Sequence, residues 1–142
     1  MLKRILVADG DAHERKMTRC FLESRTSCEV CGEAANDIDA LEKAETLRPD
    51  LILLDYSMPV LGGIEIGAVL RVILPEVPVI LFAGQDTGAI EPAAISVGIR
   101  VVVPKTDVGR LAGQLAILFE SPSCRFGTLA CCHILVRRLV WT

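Results

Sequence analysis

Apolar residues fall into five short blocks, separated by longer stretches in which they recur every three or four positions. Residues 4–9, RILVAD, predict a strand that ends on a carboxylate. Residues 11–24 predict a helix with Met17, Cys20, Phe21 and Ser24 inward. Asp11 and Glu14 have the spacing of a capping box, with Asp in place of Ser or Thr. Residues 28–33 predict a second strand. Asn36 is placed to cap a helix running to about residue 48, with Ile38, Leu41, Ala44 and Leu47 on its inner stripe, and Pro49 ends it. Residues 51–55, LILLD, read as a strand buried on both faces and stopped by Asp55. A Met58–Pro59 break and a Gly62–Gly63 turn follow. Residues 64–74 predict a third helix closed by Pro75, and residues 78–83 a fourth strand. A short helix is expected near residues 89–97, closed by Gly98. Pro92 falls inside it and predicts a late start or a distortion. Residues 100–103 predict the fifth strand, and residues 107–119 a last helix with Val108, Leu111, Leu115 and Leu118 inward.

Strand and helix therefore alternate five times. That order predicts an α/β fold with a parallel sheet covered by helices on both faces and joined by right-handed crossovers. The expected arrangement is a flavodoxin-like doubly wound sheet of strand order 2-1-3-4-5. Asp9 and Asp55 then end adjacent strands on one rim, with Lys105 just past the fifth strand. Ligands of open α/β sheets bind at this rim, so two carboxylates and an amine from distant segments form the candidate site.

Composition narrows the alternatives. The chain has 142 residues, of which 51% are hydrophobic, with one Trp and one Tyr, so one domain with an aliphatic core is expected. A net charge of −3 gives no general attraction to nucleic acid. No signal peptide is visible and no apolar run reaches the ~20 residues of a membrane span, which predicts a cytoplasmic protein with no membrane partner. Cys28 and Cys31 have CxxC spacing but lie in a predicted strand, where residues three apart face opposite ways. Reduced, buried thiols are the expected state. After residue 119 the pattern stops. Residues 120–142 carry Arg125, Arg137 and Arg138 against Glu120, and form a C-terminal tail with no assigned role.

Residues 3–119 resemble the receiver domain of bacterial two-component response regulators. The resemblance rests on ILVAD, GEAANDIDAL, RPDLILLDYSMPVLGG, PEVPVILFAG and the spacing from Gly98 to Lys105. The wording is nearest the subclass that continues into a DNA-binding helix-turn-helix; residues 120–142 are expected to hold no such output domain, and no nucleic acid is expected to bind this chain alone. The resemblance implies a non-enzymatic phosphoacceptor in phosphorelay signalling. Asp55 would take a phosphoryl group from a sensor histidine kinase or a histidine phosphotransfer protein. Mg2+ would be held by Asp9, Asp55 and the backbone carbonyl of Ser57, and Lys105 would pair with a phosphoryl oxygen. Pro59 and Gly62–Gly63 would shape the loop that holds Ser57. A homodimer through the fourth helix, fifth strand and fifth helix is a further implied partner arrangement, which the residues themselves leave open.

Three positions depart from the family pattern. Gly10 stands where a second acid usually follows the first strand, which predicts weakened Mg2+ binding. Asp11 is a further candidate ligand, although capping is the role its position argues for. Ala83 replaces the hydroxyl residue at the end of the fourth strand, and Val102 replaces the rotating aromatic of the fifth. These changes support an alternative: an atypical receiver that binds a partner independently of phosphorylation. A remote alternative is a haloacid-dehalogenase-like phosphatase with Asp9 as nucleophile and Asp11 as acid/base, which leaves the LLDYSMP segment unexplained.

Overall fold

The computed structural model describes residues 2–84 and 87–126, the last seven by their backbone alone. The elements are β1 (Lys3–Ala8), α1 (Ala12–Arg25), β2 (Cys28–Ala34), α2 (Asp37–Leu47), β3 (Leu51–Asp55), α3 (Gly63–Ile73), β4 (Val79–Ala83), α4 (Thr87–Ser96), β5 (Val101–Pro104) and α5 (Val108–Phe126). The five strands form one parallel sheet of order β2-β1-β3-β4-β5, the order expected from the sequence.

β3 and β4 are buried along their whole length, which their unbroken apolar sequences require. Alternate side chains supply two cores. Leu6, Ala8, Ile52, Leu54, Leu81, Ala83 and Val102 pack with Ala40 and Ala44 of α2, Ile66 and Leu70 of α3, and Ala94 of α4. α1 lies against β1 and β2 with Leu22 fully buried. Each fully buried Leu or Ile of this kind contributes about 1.5–3 kcal/mol. The unit ending at Val108 holds the whole sheet and four helices; α5 from Gly109 onward belongs to a second unit.

Several sequence expectations are corrected. In α1 the inward residue is Leu22; Met17, Cys20 and Ser24 are exposed and Phe21 is half-buried. In α2 Ile38 is exposed, while Asp37, Ala40 and Ala44 face inward. Small alanines let α2 lie close to the sheet, so the stripe follows them rather than the largest apolar residue. α4 begins at Thr87, ahead of the expected start, and carries Pro92 in its interior. A proline there removes one backbone hydrogen bond, and the helix nevertheless continues to Ser96. In α5 Leu111 and Leu115 are buried, Leu118 is half-buried and Val108 is exposed. Its backbone continues to Phe126, seven residues past the expected end, and residues 127–142 of the expected tail lie outside those described.

Candidate functional site

The rim formed by the C-terminal ends of β1, β3 and β5 gathers four charged side chains. Asp55 closes β3 and is 5% exposed; Asp9 follows β1 and is 3% exposed. Lys105 follows β5, and its amide donates to the Ala83 carbonyl at 2.8 Å, which fixes its start against β4. Lys105 Nζ lies 3.0 Å from Asp55 Oδ1 and 3.1 Å from Asp9 Oδ2. It also donates to Glu14 Oε2, from the first turn of α1. The three residues singled out in the sequence thus meet, and Glu14 joins them.

Glu14 was hidden by its spacing to Asp11. The Asp11 side chain does cap α1, accepting from the His13 amide at 2.8 Å and the Glu14 amide at 3.2 Å. In a full capping box Glu14 would reach back to the Asp11 amide. That amide already donates to Asp9 Oδ1 at 2.9 Å, so the Glu14 carboxylate is released toward Lys105. The capping bonds hold the Asp11 carboxyl below its ordinary pKa. Asp11 is committed to the helix end, and it is not among the acids whose oxygens converge.

Burial is the largest influence on Lys105 and by itself pulls its pKa down. Hydrogen bonds to Glu14, Asp55 and Asp9 together outweigh it and leave the ammonium above its ordinary value. Three carboxylates around one ammonium leave the cluster with excess negative charge. Oxygens of Asp9, Glu14 and Asp55 lie within 4.8 Å of one another. Opposite ligands of an octahedral Mg2+ stand about 4.2 Å apart, so this hard-oxygen donor set fits a small divalent cation.

The β3–α3 loop is built to stay in place beside Asp55. The Ser57 amide donates to Asp55 Oδ1 at 3.2 Å, and the Tyr56 amide to the Phe82 carbonyl at 2.8 Å. A Cβ on Gly63 would stand 2.8 Å from the Asp55 carbonyl oxygen and 2.7 Å from Leu81 Cδ1, so only glycine lets α3 start this close to the strand. Val60 holds φ = 86°, a left-handed value that is costly for a β-branched residue. The fully buried Asp37 carboxylate accepts from the next two amides, Leu61 and Gly62, the latter at 3.2 Å. Such strain persists where its surroundings over-determine it, and Asp37 supplies that restraint. Sequence reasoning passed over Asp37 because an acid in the first turn of a helix is ordinary.

The other candidates do not join the site. Cys28 and Cys31 are free thiols whose pKa is raised by burial. Among the described residues no helix is long and apolar enough to cross a membrane.

The sequence profile of the response regulator receiver domain matches residues 5–115. A protein-glutamate methylesterase/protein-glutamine glutaminase from Nocardioides sp. is 36% identical over 118 residues, covering 79% of this chain and 32% of that protein. The chain spans between 18% and 32% of the length of the curated relatives it matches. Among solved structures, a LuxR-family two-component response regulator from Aurantimonas sp. is 27% identical with a TM-score of 0.78, covering 83% of this chain and 86% of that one. The response regulator domain of Thermotoga maritima CheB is 28% identical with a TM-score of 0.71, covering 81% and 91%. The chain belongs to the response regulator receiver domain family. Membership leaves the phosphatase reading of Asp9 and Asp11 without support.

Proposed function

We propose that this receiver domain accepts a phosphoryl group on Asp55 from a phosphohistidine of a sensor histidine kinase or histidine phosphotransfer protein. The observation that carries the reading is the meeting of Asp9, Asp55 and Lys105 at one rim of the sheet. Asp55 ends a strand buried along its whole length, so the sheet itself holds its carboxylate beside Lys105. One carboxylate oxygen forms the new P–O bond as the P–N bond to the donor imidazole breaks, and the electron pair returns to the ring nitrogen. Lys105 moves from the carboxylates to a phosphoryl oxygen, where its ammonium offsets the incoming charge. Asp9, Asp55 and the Ser57 carbonyl would hold Mg2+. When bound, the ion would offset the charge on the phosphoryl oxygens and so let a dianionic group approach a carboxylate.

A second reading, a module that binds its partner in one fixed state, is favoured by two buried positions. Ala83 and Val102 are 0% exposed within the apolar core, and neither carries a polar atom that could follow a phosphoryl group. Incubation with acetyl phosphate and MgCl2 followed by intact-mass measurement separates the two. Uptake of one phosphoryl group, absent in Asp55→Ala, supports phosphoacceptance; no uptake leaves the fixed-state module.

A further inference from the structure

We propose that Glu14 is the third carboxylate of the cation site, supplying from the first turn of α1 the charge that the chain lacks at Gly10. The inference rests on the phosphoacceptor reading above.

Four observations meet on it. First, a hard divalent ion is held in proportion to ligand charge, and Asp9 and Asp55 offer only two carboxylates. Glu14 presents an oxygen within 4.8 Å of oxygens of both. Second, the nearest other acid is unavailable, because Asp11 is spent on the His13 and Glu14 amides. Third, the position after Asp9 is crowded. A Cβ on Gly10 would stand 3.2 Å from Pro59 Cδ, in the loop that carries Ser57, so an acid there would press on that loop. Glu14 brings its carboxylate to the Asp9 and Asp55 oxygens from the helix, free of the cap because Asp9 already takes the Asp11 amide. Fourth, the Lys105 ammonium stands among all three carboxylates as an internal cation and marks where positive charge is held.

The charge count follows. Three carboxylates balance one divalent cation and one ammonium together, so the site can hold both at once. With only two, the ion and Lys105 would compete for the same oxygens. Glu14 therefore lets Lys105 stay at the rim while the ion is bound, ready for a phosphoryl oxygen.

The test is calorimetric titration of the full chain with MgCl2, without any phosphodonor. The wild type, Glu14→Gln and Asp55→Asn are compared, and the Mg2+-dependent rise in melting temperature is read alongside. Glu14→Gln is expected to weaken Mg2+ on the order of tenfold and to shrink the thermal shift. Wild-type affinity or tighter binding in Glu14→Gln, with Asp55→Asn still impaired, would overturn the assignment and leave Glu14 as a partner of Lys105 only. If the wild type takes up no Mg2+ at millimolar concentration, or Asp55→Asn binds it equally well, the phosphoacceptor reading itself fails.

Discussion

Lys105 Nζ stands 3.0 Å from Asp55 Oδ1 although β4 separates the strands that deliver them. The lysine reaches across the end of β4, where Ala83 and Gly84 present almost no side chain. Removing the ammonium as Lys105→Met leaves buried carboxylates facing one another. The expected loss is about 2–3 kcal/mol in urea denaturation, at the low side for a broken buried pair because Glu14 is half exposed. MgCl2 should recover part of that loss in the variant, since the ion replaces the missing charge. The folded-state pKa of Lys105 lies above its ordinary 10.5. The attraction is therefore complete below about pH 10.5 and fades only as pH rises toward the folded value. The difference between wild type and variant should be flat from pH 6 to roughly 9 at this accuracy.

Asp37 and Val60 oppose each other energetically. Asp37→Ala frees two loop amides and should cost about 2–3 kcal/mol. Val60→Gly relieves the left-handed strain and should add about 1 kcal/mol. In the double variant the Asp37 penalty should shrink, because the loop no longer resists its conformation. Urea denaturation of the four proteins checks this; strictly additive effects would separate the tether from the strain.

Asp11→Ala removes the cap of α1 and should lower the melting temperature at neutral pH. The Asp11 carboxyl titrates below its ordinary 3.8 in the folded chain. Its contribution is present above that value and is lost as pH falls through the lower folded pKa. Melting curves of wild type and variant should converge in strong acid and diverge above about pH 4.

Ala83→Ser places a hydroxyl at the end of β4, one residue past the partner of Asp55 in the sheet, with little added volume. With acetyl phosphate and Mg2+, hydrogen exchange in α4 and β5 should change in this variant and remain unchanged in wild type. A phosphorylation-dependent change in the wild type would show that coupling does not need that hydroxyl.

The sheet order and the meeting of Asp9, Asp55 and Lys105 were legible because both depend on strand ends. An apolar run stopped by a charge locates a strand end to within a residue, and topology brings those ends together. Contacts between a helix's first turn and the rim were not legible. Glu14 read as a cap partner because nothing in the sequence shows that Asp9 takes the Asp11 amide first. Asp37 carried no signal of its own, yet it is fully buried at the start of α2, with its carboxylate on amides of the β3–α3 loop. Met17 and Ile38 read as inward because periodicity weighs large apolar residues above alanine. The sheet instead receives Leu22 from α1 and Ala40 and Ala44 from α2.

The most direct test of the account is to locate the phosphoryl group after incubation with acetyl phosphate and MgCl2. An aspartyl phosphate is an acyl phosphate, and borohydride converts it to homoserine, which peptide mass spectrometry assigns to a position. The account predicts homoserine at position 55 and nowhere else. Modification at another carboxylate with Asp55 intact, or none at all, would contradict it.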